Sequence, residues 1–237
     1  MAKIWAHRGA SAYAPENTLE AFQLAIDMKA DGIELDVHLS ADGEVVVAHD
    51  EAVDRVSDGS GLICEMPLCE LKKLDFGVRF PKHRGAQIPT LGEVYALIRP
   101  TGMTVNVELK TNVYEYEGIE RKCAELAAKY GMAGRVIYSS FHFESLGRVK
   151  EIDAALPVGL LYAKPLSVEE ALSWRADAVH PHFKLMYEDG LLGAFHRANI
   201  KVHPWTVNAP EDMRRLAALG ADALITDVPD VARRALA

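Results

Sequence analysis

Strand-like and helix-like segments alternate along this chain of 237 residues, and the alternation predicts an α/β fold, a (β/α)8 TIM barrel. Three observations carry that prediction. The length is close to the roughly 250 residues of one such barrel. Eight strand-like runs recur in series once a single hairpin strand is set aside. The first strand-to-helix turn, "HRGASA", also lacks the G-x-G-x-x-G pattern that an open doubly wound sheet would favour.

The first strand is "KIWAH". A helix follows over "ENTLEAFQLAIDMKA", with Leu19, Phe22, Ala25 and Ile26 on one face and Asn17 or a neighbour as its cap. Gly9 is expected to let the chain turn tightly beside a ligand. "DGIELDV" is the second strand. "EVVVAHD" comes after only a few turn residues, too few for the crossover of about a dozen that a parallel neighbour needs. It should therefore run antiparallel to "ELDV" as a hairpin. A turn centred near Asp42 would set His49 across from about Leu35.

Residues 51–92 are rich in Gly, Pro and charge, with one helical scrap at "PLCELKKL". They are expected to form an insertion packed on the barrel, without a core of their own, so that residues 1–237 make a single catalytic domain. The remaining strands are "MTVNVELK", "RVIYSSF", "PVGLLYA", "DAVHPHF", "KVHPWTV" and "ADALIT". Helix-like segments such as "YEGIERKCAELAAKYG", "HFESLGRVKEI" and "PEDMRRLAALG" separate them.

Composition narrows the function. Apolar residues make up 49% and charged ones 25%, the balance of an ordinary globular chain. The net charge is −8, and no Lys/Arg run is interleaved with aromatics, which argues against nucleic acid. Cys64, Cys69 and Cys123 fit neither a disulfide framework nor a zinc knuckle. The N-terminus has no signal-peptide core, and no stretch approaches the roughly 18 apolar residues of a membrane span. The expectation is a soluble, cytoplasmic protein acting on a small molecule. No apolar stripe on the helices indicates an oligomeric state.

Side chains alternate between the two faces of a strand. In "GIELDV", Ile33, Leu35 and Val37 belong against the helices, which turns Glu34 and Asp36 toward the barrel axis. In "TVNVELK", Val105, Val107 and Leu109 face out, while Asn106, Glu108 and Lys110 face in. An ion pair such as Glu108 with Lys110, or Asp36 with Arg8, would account for one acid but not for three. A divalent cation would account for all of them, and oxygen ligands suit Mg²⁺ or Ca²⁺. Both strands end at the C-terminal face, where barrel active sites lie.

His7 ends the strand beside the second, and the hairpin brings His49 level with the carboxylates. Two histidines flanking one cation indicate a general acid and a general base. Arg8 offers a fork suited to phosphate, and Lys110 a further positive charge. Together these groups describe phosphoryl chemistry. Trp205, near a strand end, fits rim packing as well as a substrate wall. His180, His182 and His203 are expected to be structural or to support the site from behind. Ser139 and Ser140 lack a nucleophile elbow. A barrel glycosidase, working with paired carboxylates, would leave both histidines and Arg8 without a task.

The motifs "AHRGASAYAPENTLEAF", "GIELDVHLSADGEVVVAHDE", "DGSG", "LKKLDFG", "IPTLGEV", "NVELK", "YSSF", "HPWTVN" and "ITDVP", in this order, resemble those of glycerophosphodiester phosphodiesterases over nearly the whole chain. The resemblance implies a (β/α)8 barrel with an insertion after the second strand region. It implies divalent-cation-dependent hydrolysis of glycerophosphodiesters to glycerol 3-phosphate and an alcohol. It makes Glu34, Asp36 and Glu108 metal ligands, His7 and His49 the acid–base pair, and Arg8 and Lys110 phosphate-binding groups. Trp205 would line the glycerol side. Within the insertion the chain departs from the family pattern at Ala52, "DRVSDG" and Pro67, which bears on the head group the enzyme accepts.

Overall fold

Residues 1–188 and 190–237 are described by the structure, a computed structural model. The chain begins with β1 (Lys3–His7), whose alternation sends Ile4 and Ala6 toward the helices and Trp5 toward the barrel axis. α1 (Leu19–Asp27) follows, and Thr18 is its cap: the Thr18 hydroxyl accepts from the Ala21 amide at 3.3 Å. Asn17 is thus free for another task. Every residue of β2 (Gly32–Leu39) is buried, because its outer face meets helices and its inner face meets the barrel interior.

β3 (Val45–Val47) pairs antiparallel with β2, in the register Val37 to Val47 and Leu39 to Val45. The pairing extends to Ala48, whose amide donates to the Asp36 carbonyl at 3.1 Å. The segment after β3 includes α2 (Leu68–Leu71). Val53, Ile63, Leu71, Phe76 and Ile88 gather on Val46 and Ala48 as a small apolar cluster of their own. Their spacing follows neither a helical nor a strand period, so the sequence pattern hid the cluster.

α3 (Leu91–Ile98) begins just inside the segment expected to be inserted. Its signal was legible as "TLGE", a capping box: Thr90 accepts from the Glu93 amide at 3.2 Å, and the Glu93 carboxylate accepts from the Thr90 amide at 2.7 Å. The repeat then runs through β4 (Thr104–Leu109), α4 (Ile119–Lys129), β5 (Val136–Ser140), α5 (Phe143–Ile152), β6 (Val158–Tyr162), α6 (Val168–Ser173), β7 (Ala178–Pro181) and α7 (Leu191–Arg197). It ends with β8 (Lys201–Val202), α8 (Pro210–Leu219), β9 (Ala223–Thr226) and α9 (Pro229–Ala235).

The strands lie in the order β8-β7-β6-β5-β4-β2-β1-β9, each pair parallel, with β3 set off on β2. The result is a nearly closed TIM barrel. β8 is short, although bonds to β7 continue beyond it through His203 N to Val179 O at 2.9 Å and Trp205 N to Pro181 O at 3.0 Å; on the β9 side Pro204 has no amide hydrogen to give. Isolated backbone bonds carry the seam instead, from Asp222 N to Val202 O at 2.9 Å and from Ile225 N to Pro204 O at 3.0 Å.

Between strands and helices, Ile33, Leu35, Val37, Val105, Val107 and Leu109 belong to one continuous apolar layer that also holds Phe22, Tyr95 and Phe195. Full burial of one such side chain contributes about 1.5–3 kcal/mol. Inside the barrel a smaller layer of Trp5, Ile137, Ala178, Ala223 and Ile225 forms the floor of the site.

Gly9 has a role other than clearing space for a ligand. Its φ is +81°, and a Cβ there would lie 2.7 Å from backbone and side-chain carbons of Ala21 in α1. The close approach of helix to loop excludes any side chain. Gly9→Ala should lower stability by about 2 kcal/mol or more, measured as a fall in Tm. An unchanged Tm would show that the loop can move away from α1 without penalty.

Candidate active site

β1, β2 and β4 are neighbours, and their register sets His7 beside Glu34 and Asp36 beside Glu108. The carboxylates of Glu34, Asp36 and Glu108 each present an oxygen within 4.8 Å of the others, and all three are buried. Burial and the charges of Asp36 and Glu108 push the Glu34 carboxyl well above its ordinary range. Glu108 is raised to about 7 by burial and by Asp36, against the pull of Lys110. Asp36 goes the other way. Burial opposes its ionisation, but Lys110, Arg8, His49 and a hydrogen bond from Asn17 outweigh burial and hold it low.

This cluster suits a divalent cation. Three hard oxygen donors converge, and the buried Asp36 Oδ1 has no hydrogen-bond partner among the described residues. Among the described residues, no other set of His, Cys, Asp and Glu side chains converges in this way.

Both histidines present one nitrogen to the site and anchor the other. His7 Nδ1 lies 2.6 Å from Asp227 Oδ1, and its Nε2 lies 4.0 Å from Glu34 Oε2. His49 Nδ1 lies 2.6 Å from Asp50 Oδ1. An ionised carboxylate can only accept, so both Nδ1 atoms carry the hydrogen and both Nε2 atoms are left free for chemistry.

The two anchors differ. Asp50 Oδ2 accepts from Arg55 Nε at 2.5 Å, so its charge is shared with an arginine. Among the described residues, the side chains that donate to Asp227 besides His7 are neutral: Ser11 Oγ at 3.0 Å and Asn208 Nδ2 at 2.6 Å. Burial, with Lys110 and Arg8, lowers the pKa of His49 against the opposing pull of Asp36 and Asp50.

His7, Arg8, Glu34, His49 and Glu108 meet in a cavity of about 250 Å³, walled also by Asn106, Phe141, Leu161, Trp205 and Ile225. Arg8 Nη1 donates to Glu16 at 3.0 Å, and its backbone amide donates to Glu34 Oε2 at 3.0 Å. Lys110 is placed differently from Arg8. It is buried, with Nζ 2.9 Å from Glu108 and 3.7 Å from Asp36, and it does not line the cavity. Trp205 stands on the wall, its indole nitrogen donating to the His180 carbonyl at 2.7 Å.

His180 and His203 are buried below the cavity and linked ring to ring at 3.0 Å. Burial takes His180 down to about 3 and His203 in the same direction, so both are neutral. Ser140 is turned away, donating to the Leu109 carbonyl at 2.8 Å. A larger cavity, of about 570 Å³, opens at the opposite end of the barrel beside Lys3, Lys201 and His203. Size does not make it the active site, because none of the converging carboxylates or their flanking histidines reaches it.

Sequence reasoning missed several of these groups. Asn17, at φ +59°, donates to Asp36 Oδ2 at 2.8 Å. Asp50 had a visible signal, its place next to His49. Asp227 stood within the motif "ITDVP", but nothing in the sequence tied it to His7, 220 residues away. The Glu16–Arg55 pair, at 2.6 Å, likewise joins two segments remote in sequence.

A model of the glycerophosphoryl diester phosphodiesterase family matches residues 7–231. A glycerophosphodiester phosphodiesterase of Caldanaerobacter subterraneus subsp. tengcongensis is 44% identical over 96% of this chain and 94% of its own. The crystal structure of a glycerophosphodiester phosphodiesterase from Agrobacterium tumefaciens superposes with a TM-score of 0.88 at 30% identity, covering 100% of both chains. A phosphodiesterase from Oleispira antarctica, solved in complex with the product sn-glycerol-3-phosphate, gives 0.87 at 30% identity over 99% of this chain and 96% of its own.

Proposed function

The chain belongs to the glycerophosphoryl diester phosphodiesterase family and is an enzyme of that class, and we propose that it hydrolyses glycerophosphodiesters to glycerol 3-phosphate and an alcohol with a divalent cation held by Glu34, Asp36 and Glu108. One observation carries the proposal: three buried carboxylates converge within 4.8 Å in a site flanked by two histidines whose Nδ1 atoms are both tied to aspartates. Mg²⁺ and Ca²⁺ both suit these donors. Such a cation supplies charge neutralisation at the phosphodiester oxygens.

The residues of the chain do the rest. Arg8, on the cavity wall, faces the phosphodiester and offsets its charge. Lys110, two residues past Glu108 on the same strand, acts from beside the carboxylates, fixing Glu108 and Asp36 in place. His49 Nε2 removes a proton from the attacking oxygen, either of water, which gives glycerol 3-phosphate directly, or of the neighbouring glycerol hydroxyl, which gives a cyclic phosphate that a water then opens to glycerol 3-phosphate. His7 Nε2 delivers a proton to the leaving alkoxide. The two anchors support this division. Asp50 is shared with Arg55, whereas Asp227 faces His7 with no arginine or lysine within ion-pair distance among the described residues.

Phe141, Leu161 and Trp205 give an apolar wall for the glycerol carbons. A cavity of about 250 Å³ favours a small glycerophosphodiester over a lipid with acyl chains. No helix among the described residues is long and apolar enough to cross a membrane.

The test is release of glycerol 3-phosphate from glycerophosphocholine, with and without a chelator. Turnover should vanish with the chelator and return with Mg²⁺ or Ca²⁺. Chelator-insensitive turnover would remove the cation from the proposal, and no release with either cation would remove the activity.

A further inference from the structure

The catalytic cavity does not end at the histidines. A second cavity, of about 300 Å³, shares His7 and Arg8 with it and continues past Ser11 and Glu16. A third, of about 290 Å³, shares Ser11 and Glu16 with the second and ends against Phe76, Arg79 and Phe80. The shared residues set the three cavities end to end, in a line from the reacting groups to the inserted segment.

Charge at the far end of this groove is not balanced. Glu16 is fully engaged: Oε1 accepts from Arg8 at 3.0 Å and from Arg55 at 2.6 Å, and Oε2 accepts from Arg55 at 2.9 Å. Arg55 spends its Nε on Asp50 at 2.5 Å. In the loop itself, Arg84 takes Asp75 at 3.4 Å. Arg79, exposed at the rim of the groove, has no carboxylate within ion-pair distance among the described residues.

The loop that presents Arg79 is built to hold its shape. Asp75 Oδ1 accepts from the amides of Gly77 at 2.7 Å and Gly85 at 2.9 Å. The Phe76 amide donates to Ala86 at 2.7 Å, and the Phe80 amide to Gly77 at 2.8 Å. A Cβ on Gly77 would lie 1.8 Å from the His83 carbonyl oxygen, so the loop is closed on itself. Phe76 is buried in the small apolar cluster and fixes one wall of the groove.

We propose that this groove is the subsite for the leaving alcohol, and that Arg79 selects glycerophosphodiesters whose alcohol carries a carboxylate or a second phosphate. The inference rests on the phosphodiesterase activity proposed above. Phe76, Phe80 and Val56 wall one side of the groove, so that a head group lying there is directed toward the guanidinium of Arg79. A trimethylammonium head would find aromatic walls, but it would also meet the like charge of Arg79.

The test compares kcat/KM for glycerophosphoserine, bis(glycerophospho)glycerol, glycerophosphoglycerol and glycerophosphocholine. The two anionic heads should exceed choline by about ten-fold, the scale of one charge-assisted pair. Arg79→Glu should invert that order, while Lys82→Gln, an exposed cation of the same loop outside the groove, should leave it unchanged. Equal kcat/KM across all four substrates overturns the subsite, as does an anionic preference that survives Arg79→Glu. Absence of release from every substrate overturns the phosphodiesterase activity itself and the subsite with it.

Discussion

His7→Ala and His49→Ala should each lower kcat by about 10²–10⁴-fold, the contribution of a positioned acid or base. Stability should change little. The side chains are 18% and 31% exposed at the cavity wall, so truncation leaves no closed void in the core. Steady-state kinetics paired with a thermal melt separates the two effects. Near-normal turnover in either variant would refute its role in proton transfer. Asp227→Asn should give a smaller loss than His7→Ala, because the amide can still meet the ring but no longer faces it with a charge.

The second large effect is a coupling between pH, cation and stability. Glu108 is raised from 4.5 to about 7 in the fold, mainly by burial and by Asp36. Between those values the folded chain holds more protons than the unfolded one, so stability falls as pH rises. The contribution of Glu108 is fully present below 4.5 and is lost as pH rises through about 7. Glu34 is shifted in the same direction.

His180 and His203 work in the opposite sense. Their depressed values give stability that is present above about 6.5 and lost as pH falls, for His180 toward about 3. The informative quantity is therefore the difference between wild type and Glu108→Gln in chelator-treated protein. The variant should gain on wild type as pH rises from 4.5 to 7, by a few kcal/mol at about 1.4 kcal/mol per pKa unit. Mg²⁺ or Ca²⁺ should raise the Tm of wild type most at the upper end of this range and have far less effect on the variant. A parallel pH dependence in the two proteins, or no cation effect on wild type, would refute the coupling.

How much of this was legible in the sequence differs from residue to residue. A strand alternates its side chains whatever its neighbours do, so "GIELDV" and "TVNVELK" were enough to turn Glu34, Asp36 and Glu108 inward. A hairpin turn sets its own register, and the pairing of Val37 with Val47 places His49 level with Leu35 on the same count. These are consequences of local covalent geometry, and they sufficed for the barrel and the centre of the candidate site. Contacts between segments that meet only when the barrel closes were not legible. Asp227 reaches His7 because β9 pairs with β1. Asn17 reaches Asp36 because Thr18, not Asn17, caps α1. Gly9 is required by the approach of α1, and Lys110 turns to Glu108 and Asp36 and not to the cavity. The sequence by itself determined which side chains enter the barrel and at which end. Tertiary structure alone decided their partners, because a charge or hydrogen-bond donor acts through distance in space, and that distance exists only once remote strands are neighbours.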